Sequence, residues 1–197
     1  MVVDSSNEGP KTPVVLVPSA LPTSRIFLIG YRGTGKTTVA RILAERLGWD
    51  WVDADEVLEN RYGRSIRRIF AEDGEAAFRR MESTILEELS SRTNSVLSTG
   101  GGVVLNPANR DRMRSAGLVV WLTADTETIW QRLQADQRTE EGRPKLSVGG
   151  LAEIQQMLQI REPLYRECAD LTVDTVGRSA TEVADLILHQ WVNKIRS

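Results

Sequence analysis

The run Gly30-Tyr31-Arg32-Gly33-Thr34-Gly35-Lys36-Thr37 directly follows the apolar stretch Ile26-Phe27-Leu28-Ile29 and fits the spacing G-x-x-x-x-G-K-[ST] of a phosphate-binding loop. The residue types answer a physical need. Glycines let the backbone turn tightly and bring N–H groups against phosphate oxygens. Lys36 can then reach the β- and γ-phosphates of a nucleotide, and the Thr37 hydroxyl can hold Mg²⁺. Such a loop needs a buried strand before it and a helix after it. The apolar run supplies the strand. Val39, Ile42, Leu43 and Leu47 recur at helical spacing up to Gly48, which sits where a helix C-cap belongs.

Working outward, the 197 residues suit one domain with a sizeable core, and 41% hydrophobic with 26% charged residues is an ordinary globular composition. A formal net charge of −2 gives no bulk attraction to nucleic acid or to a membrane surface. No apolar run approaches the roughly 20 residues of a membrane span. The single cysteine, Cys168, cannot form an internal disulfide, which fits a cytoplasmic protein. Met1 to Ser24 hold four of the seven prolines and read as a flexible N-terminal extension, so the domain is expected over residues 25–197.

Trp49-Asp50-Trp51-Val52 reads as a second strand, ending in Asp53-Ala54-Asp55. Ligands of an open parallel sheet collect beyond the carboxyl ends of its strands. One aspartate there can serve a metal or its water shell and the other can accept a proton or hydrogen bond from a hydroxyl; equally, an aspartate can cap the helix expected from Glu56. A long helix is expected from Glu75 to about Ser91, with Arg79 and Glu82 on one face, where a surface ion pair is the alternative. The strand Val96 to Thr99 runs into Gly100-Gly101-Gly102, which lets a ligand press on the backbone. Leu118 to Leu122 and Leu171 to Val173 complete five strands. Residues 134–150 lack apolar periodicity and read as a lid. His189 lies far from every motif and reads as structural. Strands alternating with helices give an α/β fold, a five-stranded parallel sheet flanked by helices.

The ordered set GYRGTGKT, DAD, GRSI, FRRME, STGGG, RPKL and REPLY resembles the shikimate kinases, from about Arg25 to Trp191. The resemblance implies a P-loop NTPase fold of the nucleoside-monophosphate-kinase type and ATP-dependent phosphorylation of the shikimate 3-hydroxyl. It implies Gly33, Thr34, Gly35, Lys36, Thr37 and Thr38 around ATP, with Thr37 and Asp53 serving Mg²⁺. Asp55 matches the catalytic base and acceptor ligand, Arg79 and Arg161 the arginines that grip the acceptor carboxylate, and Glu82 the residue that orients Arg79. Gly100, Gly101 and Gly102 would line the ring. Arg143 matches the catalytic lid arginine, and Arg132 and Arg178 fall where the family contacts adenine. Lys145 stands where the family carries leucine. The interval between Arg132 and Arg143 is longer than usual, so Arg138 competes with Arg132 for the base.

Two other functions fit parts of this pattern: a related small-molecule kinase of the gluconate or nucleoside-monophosphate type, and a P-loop binding module without turnover. Two arginines, an aspartate and a glycine floor suit a compact carboxylated polyol better than a nucleotide acceptor. A pure binder has no use for a base and a lid arginine together. A monomer with ATP and shikimate as its partners is the expectation.

Overall fold

The computed structural model describes residues 24–135 and 150–196. The strands are β1 (Arg25–Ile29), β2 (Asp50–Asp53), β3 (Ser95–Ser98), β4 (Leu118–Thr123) and β5 (Leu171–Asp174). They form a five-stranded sheet in the order β2-β3-β1-β4-β5, with every pairing parallel. The helices, in chain order, are α1 (Lys36–Leu47), α2 (Ala54–Tyr62), α3 (Ile66–Glu72), α4 (Gly74–Leu89), α5 (Pro107–Ala116), α6 (Thr126–Ala135), α7 (Gly150–Cys168) and α8 (Ala180–Arg196). Among these, no helix is long and apolar enough to cross a membrane.

The side-chain period of two divides each strand between two cores. Ile26, Leu28, Val96, Val120, Leu122 and Val173 meet α1 and α8 through Val39, Leu43, Val183, Ile187 and Trp191. Phe27, Ile29, Leu97, Val119 and Trp121 face the other way, onto Leu58, Ile69, Phe78, Ile85 and Tyr165 of α2, α3, α4 and α7. Both faces of the sheet are therefore covered, which is why the strands read as continuous apolar runs. The chain leaves β1 toward β2 and later crosses back to β4, so β1 sits at the point where strand order reverses. In sheets of this kind that is where ligands bind.

Several boundaries differ from the expectation, each for a local reason. Ser24 already belongs to the domain, because its carbonyl accepts the Ser95 N–H at 3.1 Å. Trp49 belongs to the end of α1 and not to β2: Gly48 is left-handed (φ 65°) and the Trp49 N–H returns to the Ala44 carbonyl at 2.9 Å. The second helix starts at Ala54, two residues early, because Asp53 Oδ1 accepts the N–H groups of Asp55 and Glu56. A Ser179–Glu182 capping box opens α8, at 2.7 Å from Ser179 N to Glu182 Oε2 and 3.2 Å from Glu182 N to Ser179 Oγ. Of the lid expected over 134–150, Gln134 and Ala135 close α6 and Gly150 opens α7. The rest of it, with Arg138, Arg143 and Lys145, lies outside the described residues, as do residues 1–23.

Leu43, fully buried between sheet and α8, carries the first stability prediction. Leu43→Ala should cost about 2–5 kcal/mol in urea unfolding. Ile160→Ala, at a side chain 51% exposed, should stay within about 0.5 kcal/mol of wild type.

Candidate active site

All five strands end at one edge, and the loop after β1 opens the site there. Gly30 has φ 137°, and a Cβ on it would collide with the Leu122 carbonyl oxygen. Gly35, at φ 89°, turns the chain into α1. The turn is held by Thr34, whose hydroxyl donates to the Tyr31 carbonyl at 2.8 Å. Lys36 Nζ lies over the loop and donates to Gly30 O at 2.8 Å and Tyr31 O at 2.9 Å. Thr38 is exposed on the first turn of α1.

The Asp53 side chain works in two directions. Its Oδ1 caps α2, while Oδ2 accepts the Thr37 hydroxyl at 2.7 Å and the Ser98 hydroxyl at 3.2 Å. Three strand ends thus contribute hard oxygen atoms to one spot: Thr37 after β1, Asp53 from β2 and Ser98 from β3. One carboxylate with hydroxyls is the donor set Mg²⁺ takes when substrate phosphates and water fill its octahedron. Among the described residues no cluster of three His, Cys, Asp or Glu exists that would suggest another metal.

The three glycines after β3 form a floor because charged side chains press on it. A Cβ on Gly100 would sit 2.7 Å from Glu82 Oε1 and 2.9 Å from Asp55 Oδ1; one on Gly102 would collide with the Arg79 guanidinium. Over Gly101 the same construction comes within 3.7 Å of Arg161 Nη1. Gly100 and Gly102 therefore clear room for a charged ring, while a side chain at Gly101 would only touch it. That ring borders a cavity of about 260 Å³, with Ile66, Phe70 and Phe78 as an apolar wall. The volume lies below the usual range for drug-sized ligands and suits a small acceptor.

Arg79 and Glu82 are not the surface pair that their spacing alone allowed. Glu82 is 6% exposed and holds Arg79 Nη1 at 2.8 Å, while Glu75 holds the far side of the guanidinium at 3.1 Å. Burial works against the Arg79 charge, but Glu82 and Glu75 outweigh it and keep its pKa above the ordinary value. Burial also raises the Glu82 carboxyl, with Arg79 opposing. Glu82 Oε1 is buried without a hydrogen-bond partner.

The sequence candidates therefore gather in two groups. Lys36, Thr37 and Asp53 meet at the phosphate loop; Asp55, Arg79, Glu82, Arg161 and the glycines meet in the cavity. Arg132 ties the phosphate loop to the chain after β5, donating to Gly33 O at 3.2 Å and to Thr175 Oγ1 and O at 2.9 and 2.8 Å. Arg178 donates to Asp174 O at 2.9 Å on the same side. Four residues escaped the sequence reading. Tyr31 and Arg32 line the cavity from the variable positions of the phosphate loop, and Glu153 lines it from α7. Ser98 is the last residue of β3, and its register opposite Asp53 was the available signal.

Comparison with known proteins points to one family. The family model described as SKI: Shikimate kinase matches residues 32–192. A shikimate kinase of Halorhodospira halophila is 45% identical over 166 residues, covering 84% of this chain and 92% of that protein. One from Thiobacillus denitrificans is 44% identical over 155 residues, covering 78% and 82%. The solved shikimate kinase from Acinetobacter baumannii in complex with shikimate superposes with a TM-score of 0.83 at 38% identity, covering 88% of this chain and 96% of that one.

The raised Glu82 carboxyl gives a pH prediction with a definite sign. Above the ordinary glutamate pKa of about 4.3, and up to its raised folded value, the folded state binds more protons at Glu82 than the unfolded chain does. Stability from this group is therefore present at low pH and is lost as pH rises through the folded value. Urea unfolding of Glu82→Gln and wild type at several pH values should show the variant gaining relative stability across that window. A difference that does not change with pH would overturn it.

Proposed function

The chain belongs to the shikimate kinase family, phosphotransferases that act on an alcohol group, and from that premise we propose that it transfers the γ-phosphoryl group of ATP to the 3-hydroxyl of shikimate. The observation that carries the reading is the charged ring over Gly100–Gly102: Arg79 and Arg161 with Asp55 and Glu82, in a small cavity that Arg32, Glu75 and Glu153 also line, next to a phosphate loop. A planar guanidinium is the natural partner of a carboxylate, so Arg79 and Arg161 take the acid end of the acceptor. Asp55, the carboxylate nearer the phosphate loop in sequence, takes the hydroxyls.

Lys36 exchanges its two carbonyl partners for phosphate oxygens and holds charge that develops during transfer. Thr37 and Asp53 are the residues that would hold Mg²⁺, with Ser98 beside them. Bound there, the ion would neutralise phosphate charge. The bond from the γ-phosphorus to the bridging oxygen of ADP breaks as the bond to the acceptor oxygen forms. The hydroxyl proton passes to Asp55. Positioning therefore supplies much of the catalysis, as phosphoryl transfer requires. Gly33, Thr34, Gly35 and Thr38 complete the nucleotide site, and Arg132 and Arg178 are assigned to the adenine side. Arg143 is assigned to the transferring phosphoryl group by its R-P-K-L context. The single cysteine supports a cytoplasmic location.

The test is ADP release with ATP and Mg²⁺ against shikimate, quinate, gluconate and nucleoside monophosphates. Turnover should be greatest with shikimate; preference for gluconate or a nucleotide would overturn the assignment. In the same assay Lys36→Met should lose roughly 10²–10³-fold in kcat while staying folded. Asp55→Asn should lose kcat by roughly 10²-fold or more with the KM for ATP little changed. An Asp55→Asn variant with normal kcat and only a raised shikimate KM would reduce Asp55 to a binding residue.

A further inference from the structure

Tyr165 ends the Arg161-Glu162-Pro163-Leu164-Tyr165 run on α7 and has no exposed surface. Its ring stacks on Trp121 with centroids 5.7 Å apart and an interplanar angle of 23°. That much is ordinary core packing, and the motif reading gave the residue no task. The hydroxyl, however, is aimed at the active site: it donates to the Gly101 carbonyl, and Arg161 Nη1 lies 3.7 Å from where a Cβ on that same glycine would sit.

A phenol has one proton to give and lone pairs to accept with. Here the proton goes to the middle glycine of the floor, so the hydroxyl is held beside the Arg161 guanidinium with its lone pairs uncommitted. Arg161 is one helical turn before Tyr165, and Met157, whose Sδ lies 3.8 Å from Arg161 Nη2, is one turn earlier still. The helical repeat therefore brings all three side chains to one face. The Arg161 Cζ also lies over the Tyr31 ring, 5.7 Å from its centroid. Arginine is long and rich in rotamers, and holding it in one orientation costs entropy unless such contacts restrict it.

We propose that Tyr165 is a positioning residue for acceptor binding: its hydroxyl fixes the Arg161 guanidinium relative to the Gly100–Gly102 floor. This rests on the reading of Arg161 as a clamp for the acceptor carboxylate. Burial raises the Tyr165 pKa, so the phenol keeps its proton throughout the working range and the hydrogen bond to Gly101 persists. Without the hydroxyl, the Gly101 carbonyl loses its partner, Arg161 loses the dipole held beside it, and the clamp loses its fixed distance from the floor.

The experiment compares steady-state kinetics of wild type, Tyr165→Phe, Arg161→Ala and Cys168→Ala, with Tm for each. Tyr165→Phe keeps the ring stack and removes only the hydroxyl. It should raise the KM for shikimate up to roughly tenfold, the size expected for one lost hydrogen bond, and leave the KM for ATP within about twofold. Cys168→Ala, a buried change in the same core cluster, should lower Tm without a selective change in the shikimate KM. Arg161→Ala should raise the shikimate KM further, and adding Tyr165→Phe to it should have little extra effect. If Arg161→Ala raises that KM and Tyr165→Phe does not, the positioning role is wrong and the clamp stands. If neither raises it, the clamp reading itself fails. Equal shifts for both substrates in Tyr165→Phe, tracking its Tm, would show a purely structural tyrosine.

Discussion

The contact on which the site depends is the hydrogen bond from the Thr37 hydroxyl to Asp53 Oδ2. It ties the first turn of α1 to the end of β2, and Ser98 adds the end of β3 through the same oxygen. The other oxygen of that carboxylate starts α2. Starting α2 at Ala54 puts Asp55 in the helix's first turn, buried and over Gly100, instead of on a loose strand end. One side chain thus sets the distance between the nucleotide loop and the acceptor cavity. Capping and ligand binding were rival readings of the D-A-D motif; the geometry lets the two oxygens divide the tasks.

Burial of charge is the second constraint. A buried carboxylate next to a guanidinium costs desolvation that a well-placed partner only roughly offsets. The Arg79–Glu82 pair accepts that cost at the floor of the cavity, with Glu75 as an additional anchor at the rim. Its return is a guanidinium already oriented before an anionic ligand arrives, so less ordering remains to be done on binding.

Much of the fold was legible because the apolar runs, glycine stops and capping residues agree with one another. The phosphate loop announced β1 and α1 together, and in the structure Ser65, Asn106 and Ser179 each cap the helix that follows with a side-chain oxygen. Boundaries slipped where a side chain did two things, as Asp53 does, or where a cap extended past its glycine, as at Trp49. The floor glycines and Arg79 were visible as candidates, but their mutual contact was not, since residues 79 and 102 meet only through the sheet. Tyr31 and Arg32 were hidden for a different reason: the loop motif constrains its glycines, lysine and threonine and says nothing about its variable positions. Ser98 looked like one more strand residue because its importance comes from register with Asp53.

The place of β1 in the sheet has a consequence for how the chain acquires its structure during synthesis. β1 is made first among the strands, yet its neighbours are β3 and β4, whose residues lie about seventy to ninety positions later. At roughly 5–20 residues per second, a ribosome needs several seconds to supply them. During that interval Ile26 to Ile29 have no ladder to join, and the phosphate loop has no wall from Leu122 to shape it. Closure of the nucleotide site therefore waits on the second half of the chain, a delay over which chaperones can act on the exposed strand.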